Sequence, residues 1–141
     1  MLTTDRYRFA LATLLTLAFS SLAAAQSHAA PPVDPKTVAV VDAGLGPCTA
    51  DFTVTDAAAA PVYAANIRVH IAYRFMRLHK LDLEVGTNAD GKARFIGLPE
   101  NPKQGLFFRA SEGGREGSVF DDPAKTCQTQ FTIVLRKEPQ P

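Results

Sequence analysis

Between residues 48 and 135 apolar side chains recur at every second position, and that period constrains the chain to strands. Ile67, Val69, Ile71, Tyr73 and Phe75 alternate with Arg68, His70, Ala72 and Arg74. Phe52 and Val54 alternate with Asp51, Thr53 and Thr55, and Leu81, Leu83 and Val85 with Asp82 and Glu84. Phe131, Ile133 and Leu135 close the series. Successive side chains of a strand point to opposite faces, so this period gives each strand one apolar and one wet face. Over 66–85 a helix competes, because Ile67, Ile71, Phe75 and Leu78 would share one helical face; the run of apolar odd positions decides for a strand at its start. Strands with one apolar face must cover it with a second layer. The predicted core is Phe52, Val54, Ile67, Val69, Ile71, Tyr73, Phe95, Leu98, Phe131 and Ile133.

Turn chemistry separates the runs. Asn88-Ala89-Asp90-Gly91 supplies the positive φ of a tight hairpin, and Pro99, Pro102 and Gly105 mark a loop. Glu112-Gly113-Gly114 and Asp121-Asp122-Pro123 break the chain again. Short strands with turns every ~8–12 residues predict an all-β sandwich. There is no internal repeat. The sandwich is expected over 48–136, after a flexible leader over 26–47 that carries Pro31, Pro32 and Pro35, and before a disordered tail over 137–141.

Residues 1–25 have the build of a cleavable secretory signal peptide. Arg6 and Arg8 precede an uncharged run from Phe9 to Phe19, and Ala23-Ala24-Ala25 follows. Cleavage is expected after Ala25, with Ser27-His28-Ala29 as a second option. The run falls short of the ~20 residues that span a bilayer, and no later segment of the mature chain is expected to cross one. The chain is therefore expected in the periplasm or secreted. Of 15 basic and 14 acidic residues, removal of Asp5, Arg6 and Arg8 leaves 13 of each. A net charge of zero argues against nucleic acid as a partner. Cys48 and Cys127, an even count in an oxidising compartment, predict a disulfide; two unrelated free thiols are the competing reading.

Two stretches carry a family resemblance. The first is Phe52-x-Val54-x-Asp56 followed by Pro61-Val62, Ala64-Ala65 and Ile67-x-Val69; the second is Thr87-x-x-Asp90-Gly91-x-Ala93-x-Phe95-x-x-Leu98-Pro99. Together they resemble the carboxypeptidase regulatory-like domain, a transthyretin-like (prealbumin-like) sandwich. The resemblance implies seven strands and a non-catalytic module, often found beside enzymes or in cell-envelope proteins. The chain lacks the terminal Tyr-Arg-Gly-Ser of the transthyretin-like hydrolases, ending instead in Arg136-Lys137-Glu138-Pro139-Gln140-Pro141. It also lacks the Lys and Asn that cross-link related adhesin modules, since residues 48–54 hold no Lys and 127–133 no Asn.

No Gly-x-Ser-x-Gly elbow and no glycine-rich phosphate loop occurs, so no enzyme activity and no cofactor are expected. The chain is expected to be a binding or structural component of the cell envelope. Arg68, Arg74, Arg77 and Lys80 form its most basic stretch, a possible contact for an envelope protein or an acidic surface component. Against this stands a solvated face balanced by Asp82 and Glu84 on the neighbouring strand. The alternative function is periplasmic copper binding through His70, Met76 and His79, donors of the type that metal favours, opposed by the nearby cations.

Overall fold

The computed structural model describes residues 33–73 and 79–137. The signal peptide, Met76, Arg74, Arg77 and the last four residues lie outside them. The described residues form two sheets. The strands are β1 (Ala39–Asp42), β2 (Cys48–Thr55), β3 (Asn66–Tyr73), β4 (His79–Gly86), β5 (Lys92–Leu98), β6 (Leu106–Glu112), β7 (Arg115–Asp121), β8 (Gln128–Val134) and β9 (Arg136–Lys137). Sheet A has the order β1-β5-β2-β8 and sheet B the order β4-β3-β6-β7-β9. The chain is an all-β sandwich: β2 to β8 supply the seven expected strands, and the short β1 and β9 add one to each sheet.

Alternation places the core. On β2 the even positions Cys48, Ala50, Phe52 and Val54 are buried, and on β3 the odd positions Ile67, Val69 and Ile71. Eight of the ten predicted core residues are buried, while Tyr73 and Phe131 are only partly covered. Phe131 sits on β8, an edge of sheet A, where a second apolar layer covers it from one side only. Phe108, Leu106 and Leu135 are buried with them.

β2 and β8 run parallel in register, Thr49 opposite Gln128 through Thr55 opposite Val134. Cys48 and Cys127 stand one step before that ladder, with Cα atoms 4.6 Å apart, and are joined by a disulfide. Parallel neighbours cannot be linked by a tight turn, so this cross-link ties the two ends of the domain together at the point where the pair begins.

Two local expectations are corrected. Asn88-Ala89-Asp90-Gly91 does not form a hairpin, because β4 lies in sheet B and β5 in sheet A. The positive φ is present, +71° at Gly91, but the turn carries the chain from one sheet to the other. Buried polar side chains hold the crossing. The Thr87 hydroxyl donates to Val62 O (2.6 Å) and accepts from Ala65 N (2.9 Å). Asn88 Oδ1 accepts from Asp90 N and Lys92 N (3.0 and 2.8 Å).

The second correction concerns the leader. Its residues 39–42 form β1, paired in parallel with β5. Asn88 Nδ2 donates to Lys36 O (2.7 Å) and Ala89 N to Pro35 O (2.7 Å). Pro35, one of the prolines that suggested flexibility, is itself held in this clamp. Lys137, expected in the tail, pairs with Arg115 as part of β9.

Candidate functional site

The outer face of sheet B collects the most distinctive surface chemistry. Inward residues of β3 and β6 are buried, so Arg68 and His70 on β3 and Phe107 and Arg109 on β6 point outward. The register lays them in rows. Glu84, Arg68, Arg109 and Ser118 form one row across β4, β3, β6 and β7. In the next row Asp82 faces His70, and Phe107 faces Phe120. Arg68 Nε lies 2.9 Å from Glu84 Oε2, and His70 Nδ1 lies 2.5 Å from Asp82 Oδ1. The Arg109 guanidinium sits 5.9 Å over the Phe107 ring, a cation–π contact. An open groove of about 560 Å³ runs along these rows, with Arg68, His70, Asp82, Phe107, Arg109 and Glu116 on its walls.

Phe107 and Phe120 are 50% and 56% exposed. Facing aromatics on neighbouring strands stabilise each other, yet half of each ring remains in water. Apolar surface rimmed by charge is the composition of a contact site. Sequence reasoning missed both residues, although a signal exists. Gly113 and Gly114, both at positive φ, make a two-residue turn that pairs Glu112 with Arg115. Counting outward from that turn sets Phe107 opposite Phe120, each in the polar phase of its strand.

The predicted site residues fall as follows. Arg68 and Lys80 point outward on sheet B, Arg68 matched by Glu84 and Lys80 opposite Ala72. Arg74 and Arg77 lie outside the described residues. The proposed ligation by His70, Met76 and His79 is corrected in one respect. Tyr73 pairs with His79, and His70 with Asp82, so the two histidines project from opposite faces of the sheet and cannot share an ion. The His79 ring packs on Tyr73, centroids 5.6 Å apart. Among the described residues no three His, Cys, Asp or Glu gather as metal ligands.

The outer face of sheet A is mostly polar and carries one matched charge pair. Arg94 donates through both Nε and Nη2 to the Asp51 carboxylate, the second bond 3.1 Å long. That hydrogen bond, with the charge behind it, raises the guanidinium further above its ordinary value. A second open groove of about 620 Å³ runs past Val40, Lys92, Arg94, Gln130 and Thr132. Among the described residues no helix is long and apolar enough to cross a membrane.

Asp121, at the end of β7, is buried, and its Oδ2 accepts from the Thr129 hydroxyl at 3.2 Å. Burial pushes its carboxyl above the ordinary aspartate value, against the hydrogen bond from Thr129. The native state then binds a proton more tightly than the unfolded chain does. The Asp121 contribution to stability is fully present below the ordinary carboxylate value and is lost as pH rises through the raised one. Asp121→Asn keeps an acceptor for Thr129 and removes the charge. It is expected to be more stable than the native chain at about pH 7, with the gain vanishing toward about pH 3. Urea melts of both proteins across that range measure it; a loss in the variant at about pH 7 that fades toward about pH 3 would show that the carboxylate is held for its charge.

No family profile and no curated protein sequence matches the chain. Solved structures match at low identity. The chain is similar to 3-chlorocatechol 1,2-dioxygenase from Rhodococcus opacus 1CP, at 15% identity and a TM-score of 0.46, over 77% of this chain and 70% of that one. It is similar to GBS52, the minor pilin of Streptococcus agalactiae, at 14% identity and a TM-score of 0.41, over 69% of this chain and 47% of that one. The dioxygenase domain of a dioxygenase carbohydrate-binding protein fusion from Streptomyces sp. SirexAA-E gives 14% and 0.46, over 77% and 95%. Enzymes and a pilin stand together in this group, so the likeness assigns no function.

Proposed function

We propose that the chain is a non-catalytic, exported module of the cell envelope that meets its partner through the outer face of sheet B. The observation that carries this reading is the Phe107–Phe120 pair, half exposed on an ordered sheet and overhung by Arg109. The disulfide supports export, since such bonds persist in oxidising compartments. In this reading the module is a carboxypeptidase regulatory-like sandwich, periplasmic or secreted, and takes no cofactor. The acidic partner suggested by Arg68 and Lys80 is modified, because Glu84 already matches Arg68. Arg109 has no carboxylate partner among the described residues. The fitting partner is an envelope component that sets an apolar group beside a carboxylate: the first packs on the phenylalanines, the second reaches Arg109.

The test is capture from an envelope extract with the oxidised mature protein and two variants. Phe107→Ser with Phe120→Ser is expected to lose the captured component, and Arg109→Glu to weaken it. Both positions are exposed, so stability should change by only about 0.5 kcal/mol per site. If both variants capture the same component as the native protein, the contact lies elsewhere.

A further inference from the structure

β4 is the long edge of sheet B. It has eight residues, pairs with β3 on one side, and among the described residues no strand hydrogen-bonds to it on the other, although β1 comes near it. The other edges are protected or short. β1 has four residues and β9 two, and β8 is crowded by β7 at Gly117, where an added methyl group would stand 2.6 Å from Val134 O. An open edge this long presents unpaired backbone groups that favour another strand. The inward phase of β4 strengthens the case: Leu81 and Leu83 are only half-buried, while Val85 further along is buried.

We propose that two copies of this chain pair antiparallel along β4, about a two-fold axis at Asp82. Charge and strand length together select this occupant and this register. When both copies keep the same outer face, residues of equal parity stand opposite each other. Centring on Asp82 sets Lys80 against Glu84 of the second copy, and Glu84 against its Lys80. It also sets Leu81 against Leu83 twice on the inner side. Centring on Leu83 would set Asp82 against Glu84 twice, a like-charge clash on the same face. Centring on Leu81 would also match Lys80 with Asp82 twice, but would leave Glu84 and Val85 beyond the end of the partner strand. In the favoured register the only like-charge contact is Asp82 with Asp82, at the axis, and each carboxylate already has its own His70 at 2.5 Å. A two-fold contact of this kind is self-complementary and closes as a dimer. It leaves the outer faces free and sets the two Phe107–Phe120 pairs on one continuous sheet.

Sedimentation equilibrium of the oxidised mature protein, from about 1 to 200 µM, tests the pairing. The native protein is expected to shift from monomer to dimer across that range. Lys80→Glu places Glu opposite Glu84 twice and is expected to weaken dimerisation roughly tenfold or more. Lys80→Glu with Glu84→Lys restores the two pairs across the axis and is expected to recover the dimer, which a merely misfolded single variant would not do. A native protein that stays monomeric throughout overturns the proposal. So does a dimer unaffected by Lys80→Glu, or a single-variant loss that the charge exchange fails to reverse.

Discussion

Replacing Cys48 and Cys127 together by alanine is expected to lower the stability of the domain by roughly 4.5 kcal/mol, the chain-entropy value for a cross-link between residues 79 positions apart. Topology makes the value large. β2 and β8 are adjacent parallel strands from opposite ends of the domain, so every strand from β3 to β7 lies inside the loop that their pairing must close. Thr49 N donates to Cys127 O at 2.8 Å beside the disulfide, but one hydrogen bond contributes only about 1 kcal/mol net. Domains of this size are stable by about 5–15 kcal/mol, so the variant should stand near its unfolding limit. Its midpoint should fall by on the order of 20 °C. Freed of the cross-link, the unfolded chain exposes more surface, so the urea m-value should rise as well. Urea and thermal melts of the oxidised protein and the variant measure both quantities. A loss below about 1 kcal/mol with unchanged m would mean that the unfolded chain gains little freedom when the bridge is removed.

The strands that were legible in the sequence are those whose two faces differ in chemistry. β2, β3, β4 and β8 alternate cleanly, because each has one buried side and one wet side. β1 was not legible: its four residues Ala39-Val40-Val41-Asp42 alternate too briefly, and their partner β5 lies some fifty residues away. The turn at Gly91 was half legible. Its φ follows from Asp-Gly locally, whereas the sheet that receives the next strand is decided by distant partners, Val62, Ala65 and Lys36, which hold Thr87 and Asn88. The surface was the least legible part. Arg68, His70 and Lys80 drew attention because they are close in sequence, yet the structure pairs two of them with acids on β4. Phe107, Arg109 and Phe120 carry no signal of a shared site in the sequence, and only sheet register brings them together on one face.

Two phenylalanines of the same pair of strands should respond very differently to truncation. Phe52→Ala is expected to cost about 3–5 kcal/mol, the range for a fully enclosed ring. Phe52 is 2% exposed and meets three other rings: Phe95 edge-on at 5.6 Å, Phe108 at 4.6 Å and Phe131 stacked at 5.7 Å. It touches both layers, Phe95 and Phe131 in its own sheet and Phe108 in the other, so the cavity left behind would open between the sheets. Phe95 and Phe108 also touch, at 5.1 Å, which limits how far either can move to fill it. Phe131 faces Phe52 across the β2–β8 pair but lies at the sheet edge and is only partly covered. Its truncation forfeits one ring contact and part of one ring's burial, and water can enter where the ring stood. Phe131→Ala should therefore cost about 1–2.5 kcal/mol, roughly half the Phe52 value. Urea melts of the two variants, read at a common m-value, decide the matter. Equal losses would mean that the edge of sheet A is closed in solution, and that β8 is covered by something beyond the described strands.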